Sequence, residues 1–193
     1  MDQKSKNYIE CKEVVFTLVG KDIKIKNCRF NYGNLYLLIG NNGSGKSLFL
    51  SALGKFNNNY KGEINYSDKL LRSSDIIYIP PEGGLIKNLS LKENINLVNK
   101  QVSEEEIIKY IDLNKDPRHL SGGEEALINL FKIYKTNKKV YLLDEVTSFL
   151  DDEKIDLFLN IIKSTSNSSN VFIIATNDPR LFNYNELIKF KIE

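Results

Sequence analysis

Between Tyr36 and Gly54 the chain reads YLLIGNNGSGKSLFLSALG: an apolar strand, a glycine-rich loop, a lysine and serine, then an apolar helix. Gly40 to Ser47 fits G-x-x-x-x-G-K-[ST] in full, and it has the strand before it and the helix after it that this pattern requires. Glycines let backbone amides turn inward onto phosphate oxygens, and the helix N-terminus adds partial positive charge. Gly40, Asn41, Asn42, Gly43, Ser44 and Gly45 are therefore expected to wrap a phosphate. Lys46 is expected to reach the β- and γ-phosphates, and the Ser47 hydroxyl to sit on Mg²⁺. The loop's own part of the binding set ends at Ser47 and leaves out position 48. Kinases, GTPases and many ATPases share such a loop, so the loop fixes the architecture before it fixes the reaction.

That architecture is α/β. Candidate strands are IECKEVVFTL, DIKIKNCRF, NLYLLIG, GEINYS, DIIYIP, KVYLLDE, NVFIIAT and ELIKFKIE, rich in Ile, Val, Tyr and Phe and bounded by Gly, Asn, Asp or Pro. LYLLIG, VYLLD and VFIIAT are apolar on consecutive positions, as strands covered on both faces are, and should form a mainly parallel central sheet with helices on either side. The N-terminal strands should form a separate antiparallel part. From Pro81 to Leu120 the pattern turns helical. Ser90 with Glu93 and Ser103 with Glu106 form capping boxes, and Ile107, Ile108 and Ile111 recur at helical spacing. The expectation is one domain over residues 1–193, with a core of about 1–80 and 121–193 and a small helical lobe of about 81–120. NNNY (57–60) and SNSSN (166–170) read as surface turns.

A formal charge of +2 gives no basic field for nucleic acid, and 41% apolar with 27% charged residues is the balance of a soluble globular protein. Cys11 and Cys28 have no metal-site spacing and read as buried or partly buried free thiols. The polar start MDQKSKNYIECKE lacks an apolar run of signal-peptide type, and no window approaches the ~20 apolar residues of a membrane span. A cytoplasmic chain that reaches a membrane only by docking is expected.

Further along, KVYLLDE (139–145) is an apolar strand ending in two acids. In a nucleotide site Asp144 would hold Mg²⁺ through its water shell, while Glu145 would face the γ-phosphate and polarise the attacking water. HLSGGEEALINL then places a serine and two glycines at the start of a helix, a second anion site in the same chain.

Leu120 to Glu124, LSGGE, resembles the LSGGQ signature of the ATP-binding cassette (ABC) family, and phosphate loop, signature and acidic strand follow in that family's order. DEVTSFLD resembles the family's run into the D-loop, with Val146 where proline is usual and Ser148 to Asp151 in the loop itself. The resemblance covers nearly the whole chain. It implies an ABC-type ATPase, the nucleotide-binding subunit of a transporter, with export the expected direction, working on a separate transmembrane subunit from the cytoplasmic face. Two subunits, identical or different, would close head to tail around Mg·ATP, with Ser121, Gly122 and Gly123 of one on the ATP of the other. Lys46, Glu145 and Asn177 would be catalytic. Three positions depart from the family. Pro81, followed by Glu82, stands where a glutamine touches metal and transmembrane subunit. Asn177 stands where a histidine contacts the γ-phosphate, and the only histidine, His119, lies beside the signature. The adenine-stacking aromatic has no clear counterpart, with Phe16 a candidate whose core packing is the simpler role. Slow hydrolysis is expected, and the alternative reading is a non-transport, nucleotide-gated binding or regulatory module.

Overall fold

In the computed structural model, residues 7–192 are described. The polar segment 1–6 and the last residue of ELIKFKIE lie outside them. The chain divides into two compact units: Met1–Tyr78 with Lys138–Glu145 and Ser166–Glu193, and Ile79–Asn137 with Val146–Thr165. The second unit thus takes in two helices beyond the 81–120 segment.

The first unit is an α/β body with two sheets. Strands β4 (Leu35–Ile39), β7 (Val140–Asp144), β8 (Val171–Ala175) and β9 (Leu187–Lys191) pair in parallel in a five-stranded sheet of order β6-β7-β8-β4-β9, β6 being Ile76–Ile79. Every residue of β7 and β8 is buried, as their unbroken apolar runs require. Helix α1 (Lys46–Leu53) follows β4 and buries Phe49, Leu50, Ala52 and Leu53 in the core under this sheet.

The second sheet is antiparallel: β1 (Tyr8–Leu18) pairs with β2 (Lys21–Lys24), β3 (Cys28–Asn31) and β5 (Lys61–Tyr66). DIKIKNCRF is therefore two strands rather than one. The cause is a bulge in β1. Glu13 takes a positive φ of 50°, and its N–H leaves the ladder to donate to the Asn27 side chain at 2.8 Å. Opposite it, Gly62 is also at positive φ, and a Cβ there would lie 2.2 Å from the Glu13 carbonyl oxygen. Beyond the bulge β1 changes partner from β3 to β2.

The second unit is helical. Ser90 and Ser103 cap α2 (Leu91–Asn96) and α3 (Glu104–Ile107), with both capping boxes closed as the sequence predicts. Helix α3 stops after one turn, however. Ile107 and Ile111 are buried while Ile108 is exposed, because the chain turns away at Asp112, whose carboxylate accepts from the Asn114 backbone. Helices α4 (Gly122–Ile133) and α5 (Asp152–Thr165) complete the unit, and Ile128 and Phe131 of α4 join Leu85, Leu91, Ile95, Ile107 and Ile111 in its core.

Candidate functional site

The register of the parallel strands decides which residues can meet. Leu38 on β4 and Asp144 on β7 both pair with Ala175 on β8, so the three strands end level. The residues just past those ends, Gly40, Glu145 and Asn177, are thereby delivered to one edge, the carboxyl end of the sheet where α/β folds bind ligands.

The backbone of the loop demands glycine at two of its positions. Gly45 precedes α1 at φ 96°, and a Cβ on it would strike Ile23 of β2 at 2.8 Å. Gly40 sits so close to Ser44 and the Ile192 carbonyl that a Cβ would come within 2.6 Å of each. Both positions therefore require glycine, and the antiparallel sheet backs the loop from below through Ile23. Lys21 Nζ adds a long contact of 3.5 Å to the Gly43 carbonyl. The Ser44 hydroxyl, buried in the loop, has no hydrogen-bond partner. Position 48 holds a leucine and not a serine, so it has no hydroxyl to bring to phosphate or metal. Leu48 is partly buried and packs against the core of the first unit. The serine that belongs to the D-loop run is Ser148, a hundred positions later.

Lys46 is the centre of the edge. Only 6% exposed, its ammonium donates to the Gly40 carbonyl at 2.9 Å and stands 3.4 Å from the Glu145 carboxylate. The Asn177 amide lies between Gly40, Asn42 and Lys46. With its nitrogen donating to the Gly40 carbonyl (2.6 Å), its oxygen accepts from Lys46 Nζ (3.2 Å), which satisfies both groups. The Asn177 backbone N–H reaches Glu145 Oε2 at 3.3 Å. Glu145 itself is held at φ 50°, unusual for a residue with a side chain, and its N–H is fixed on the Ala175 carbonyl at 2.8 Å.

Asp144 is fully buried. Its Oδ2 accepts from the Tyr78 hydroxyl at 3.1 Å, its Oδ1 has no partner, and the Ser47 side chain faces the carboxyl. Burial pushes the carboxyl above its ordinary pKa, against the opposing pull of the Ser47 and Tyr78 hydroxyls. Tyr78 was not foreseen as a site residue. The signal was the one polar-tipped side chain in the strand IIYI, and burial likewise pushes its hydroxyl pKa up.

Phe16, 1% exposed, packs against Tyr60 at 5.9 Å between ring centroids and belongs to the core, so it is no platform for a base.

In the second unit, Ser121 caps α4 and forms a closed capping box with Glu124. The Ser121 N–H donates to the Glu124 carboxylate at 2.9 Å and its hydroxyl to the same oxygen at 3.0 Å, and Lys115 pairs with that carboxylate from the other side. The helix start thus already holds one anion, a side chain of its own. Phe149, in the loop from 148 to 151, lies against the two glycines: a Cβ on Gly122 would meet its ring at 2.8 Å, and one on Gly123 its carbonyl at 2.9 Å. Beside them is a cavity of about 290 Å³ lined in part by Pro80, Pro81, Glu82, Gly83, Glu125 and Asn129. Two buried acceptors in this group, Glu125 Oε1 and Asn129 Oδ1, have no hydrogen-bond partner. Leu85 belongs to the core of this unit, and Ile86 beside it is exposed. His119 is exposed at the end of a short turn before the signature.

A family model described as ABC transporter matches residues 23–148. The putative hemin import ATP-binding protein HrtA of Staphylococcus haemolyticus is 30% identical over 186 residues, 83% of this chain and 84% of that protein. The lipoprotein-releasing system ATP-binding protein LolD of Buchnera aphidicola is 29% identical over 196 residues, 88% of this chain and 86% of that protein. Among solved structures, a putative ABC transporter ATP-binding protein from Pyrococcus furiosus superposes with a TM-score of 0.77 over 96% of this chain and 97% of that one, at 20% identity, a likeness that carries the fold. The chain belongs to the ABC transporter family as an ATP-binding member.

Proposed function

We propose that this chain is the ATP-hydrolysing subunit of an ABC transporter, which pairs with a second nucleotide-binding subunit around Mg·ATP and works a separate transmembrane subunit from the membrane surface. The observation that carries the reading is the convergence on Lys46: the ammonium, the Gly40 carbonyl, the Glu145 carboxylate and the Asn177 amide meet at one sheet edge. Such a cluster has a nearly buried cation waiting for anionic oxygens and an acid beside it to orient a water. Relatives carry names of import and of release alike, so the proposal concerns the motor and leaves the cargo to the transmembrane subunit.

In this reading the loop amides and Lys46 hold the β- and γ-phosphates, and Glu145 orients the attacking water. The residues also suit a hard cation. Asp144 presents a buried oxygen without a partner, its charged form is disfavoured while it stands alone, and the Ser47 hydroxyl faces it. Ser47 and Asp144 would hold Mg²⁺, whose charge, when it is bound, neutralises the phosphate oxygens. Asn177 donates through a neutral amide and carries no titratable proton, and Pro81 brings no polar side chain, so binding is expected to be tight and turnover slow. Ser121, Gly122 and Gly123 are assigned to the nucleotide of the second subunit, which requires the Glu124 carboxylate to release the Ser121 hydroxyl.

Replacing Glu145 with Gln keeps the shape of the site and removes the base. Sedimentation of this variant with Mg·ATP should show a nucleotide-dependent dimer. A variant that stays monomeric at saturating ATP, both alone and with its transmembrane partner, would overturn the reading.

A further inference from the structure

The chain has two cysteines, 17 positions apart in sequence, and the fold sets them face to face. Cys11 on β1 and Cys28 on β3 are register partners, so their side chains leave the same face of the sheet. One step of the ladder is anchored where Tyr32 N–H donates to the Asn7 carbonyl at 2.8 Å. Counting along the alternation from there makes Cys11 and Cys28 a hydrogen-bonded pair, with Cα atoms about 5.5 Å apart. That separation falls inside the roughly 4.4–6.8 Å window of disulfides. Both thiols are free. Cys11 is buried at 1% exposure among Ile9, Phe30 and Val14, whereas Cys28 is partly exposed at the first position of its strand. Among the described residues no group of three His, Cys, Asp or Glu side chains could hold a metal ion.

We propose that Cys11 and Cys28 form a reversible thiol–disulfide site whose reaction partner is a low-molecular-weight disulfide, with Cys28 as the attacking thiol and Cys11 as the resolving one. The Cys28 thiolate attacks one sulfur of the small disulfide, whose S–S bond breaks, and the displaced thiolate takes up a proton. The Cys11 sulfur, passing its proton to the small thiolate it displaces, then attacks Cys28 Sγ. The Cys11–Cys28 bond forms and the second small thiol leaves. Two protein thiols are oxidised and one small disulfide is reduced to two thiols.

The order of attack follows from access, since only Cys28 meets solvent. Reversibility follows from the ladder. In a hydrogen-bonded pair the Cβ atoms stand about 5.5 Å apart, and a disulfide needs about 3.8 Å, so closure draws the start of β3 toward β1. Cys28 can yield because Lys26 and Asn27 before it lie outside any strand. A bond closed against the ladder is readily reduced again.

Incubation of the purified full chain with oxidised glutathione, followed by non-reducing intact-mass and peptide analysis, tests this. The expected product is a monomer that has lost two hydrogens, contains a peptide linking Cys11 to Cys28, and returns to the dithiol with dithiothreitol. Cys11→Ser should trap one glutathione on Cys28, and Cys28→Ser should trap none. A wild-type chain that keeps both thiols free, stops at glutathione adducts or bridges only between molecules would overturn the proposal. An adduct on Cys11 in Cys28→Ser as rapid as that on Cys28 in Cys11→Ser would overturn the assigned order.

Discussion

Asn177 shows how one side chain bears on the expected rate of a site. Its amide bridges the Gly40 carbonyl and Lys46 Nζ, and its backbone N–H meets Glu145, so the position faces the proposed γ-phosphate whatever the side chain. An amide can donate one neutral hydrogen bond there. An imidazolium could donate a charged one to the oxygen on which transition-state charge gathers, and loss of one such donor costs about 10²–10³ in rate where it has been measured. Asn177→His should therefore raise ATP turnover, by up to about tenfold while Pro81 still supplies no polar contact, and leave ATP affinity within about twofold, because the loop amides and Lys46 are untouched. Phosphate release and nucleotide titration of both proteins check this. Brisk hydrolysis by the wild-type chain, unchanged in the variant, would refute the view that position 177 limits the rate.

Elements were legible in the sequence to the extent that a single period governed them. β7 and β8 were readable because five consecutive apolar residues leave no exposed face, and the two capping boxes because Ser and Glu three apart satisfy each other's backbone N–H. The bulge at Glu13 was not readable, since it depends on a side chain 14 positions away and on Gly62 beyond it. Tyr78 was hidden for the same reason: its partner Asp144 is 66 positions distant. Helix α4 hides another such contact. Lys132 is 5% exposed, donates its ammonium to the Gly84 carbonyl, and burial pushes its pKa down from 10.5 to about 8, with Glu125 opposing. Between those two values the unfolded chain holds a proton that the folded chain has released, so stability from this group rises with pH, by up to roughly 3 kcal/mol across the window. Denaturant unfolding of wild type and Lys132→Met from pH 7.5 to 10.5 should show the wild type gaining on the variant as pH rises. Parallel curves would mean that Lys132 titrates alike in both states.

At the scale of the whole molecule, the two compact units divide the labour. The first carries the phosphate loop with Asp144, Glu145 and Asn177, and the second carries Ser121 to Gly123 and the cavity beside them. No helix among the described residues is long and apolar enough to cross a membrane, and the proposed function assigns that crossing to a separate transmembrane subunit. We propose the cavity as the place where that subunit docks. Pro80 and Pro81 give it rigid apolar walls, and Lys87 and Glu82 rim it. The buried Glu125 Oε1 and Asn129 Oδ1 are acceptors without donors, each costing about 1–3 kcal/mol until a partner N–H or a water reaches it. Asn129 and Lys132 also hold the carbonyls of Gly83 and Gly84, so a ligand pressing on this loop presses on α4, the helix that begins with the signature. A helix of the transmembrane subunit bearing a basic or amide side chain is the expected occupant. Photocrosslinkers placed singly at residues 82, 86 and 88 should then capture a transmembrane protein from membranes of the cell that makes this chain, and Glu125→Ala should reduce the yield several-fold without changing ATP binding. Crosslinkers at 57 to 59, in the first unit, serve as the control. Capture from the control positions alone would place the membrane partner elsewhere and leave the two orphaned acceptors without a role in transport.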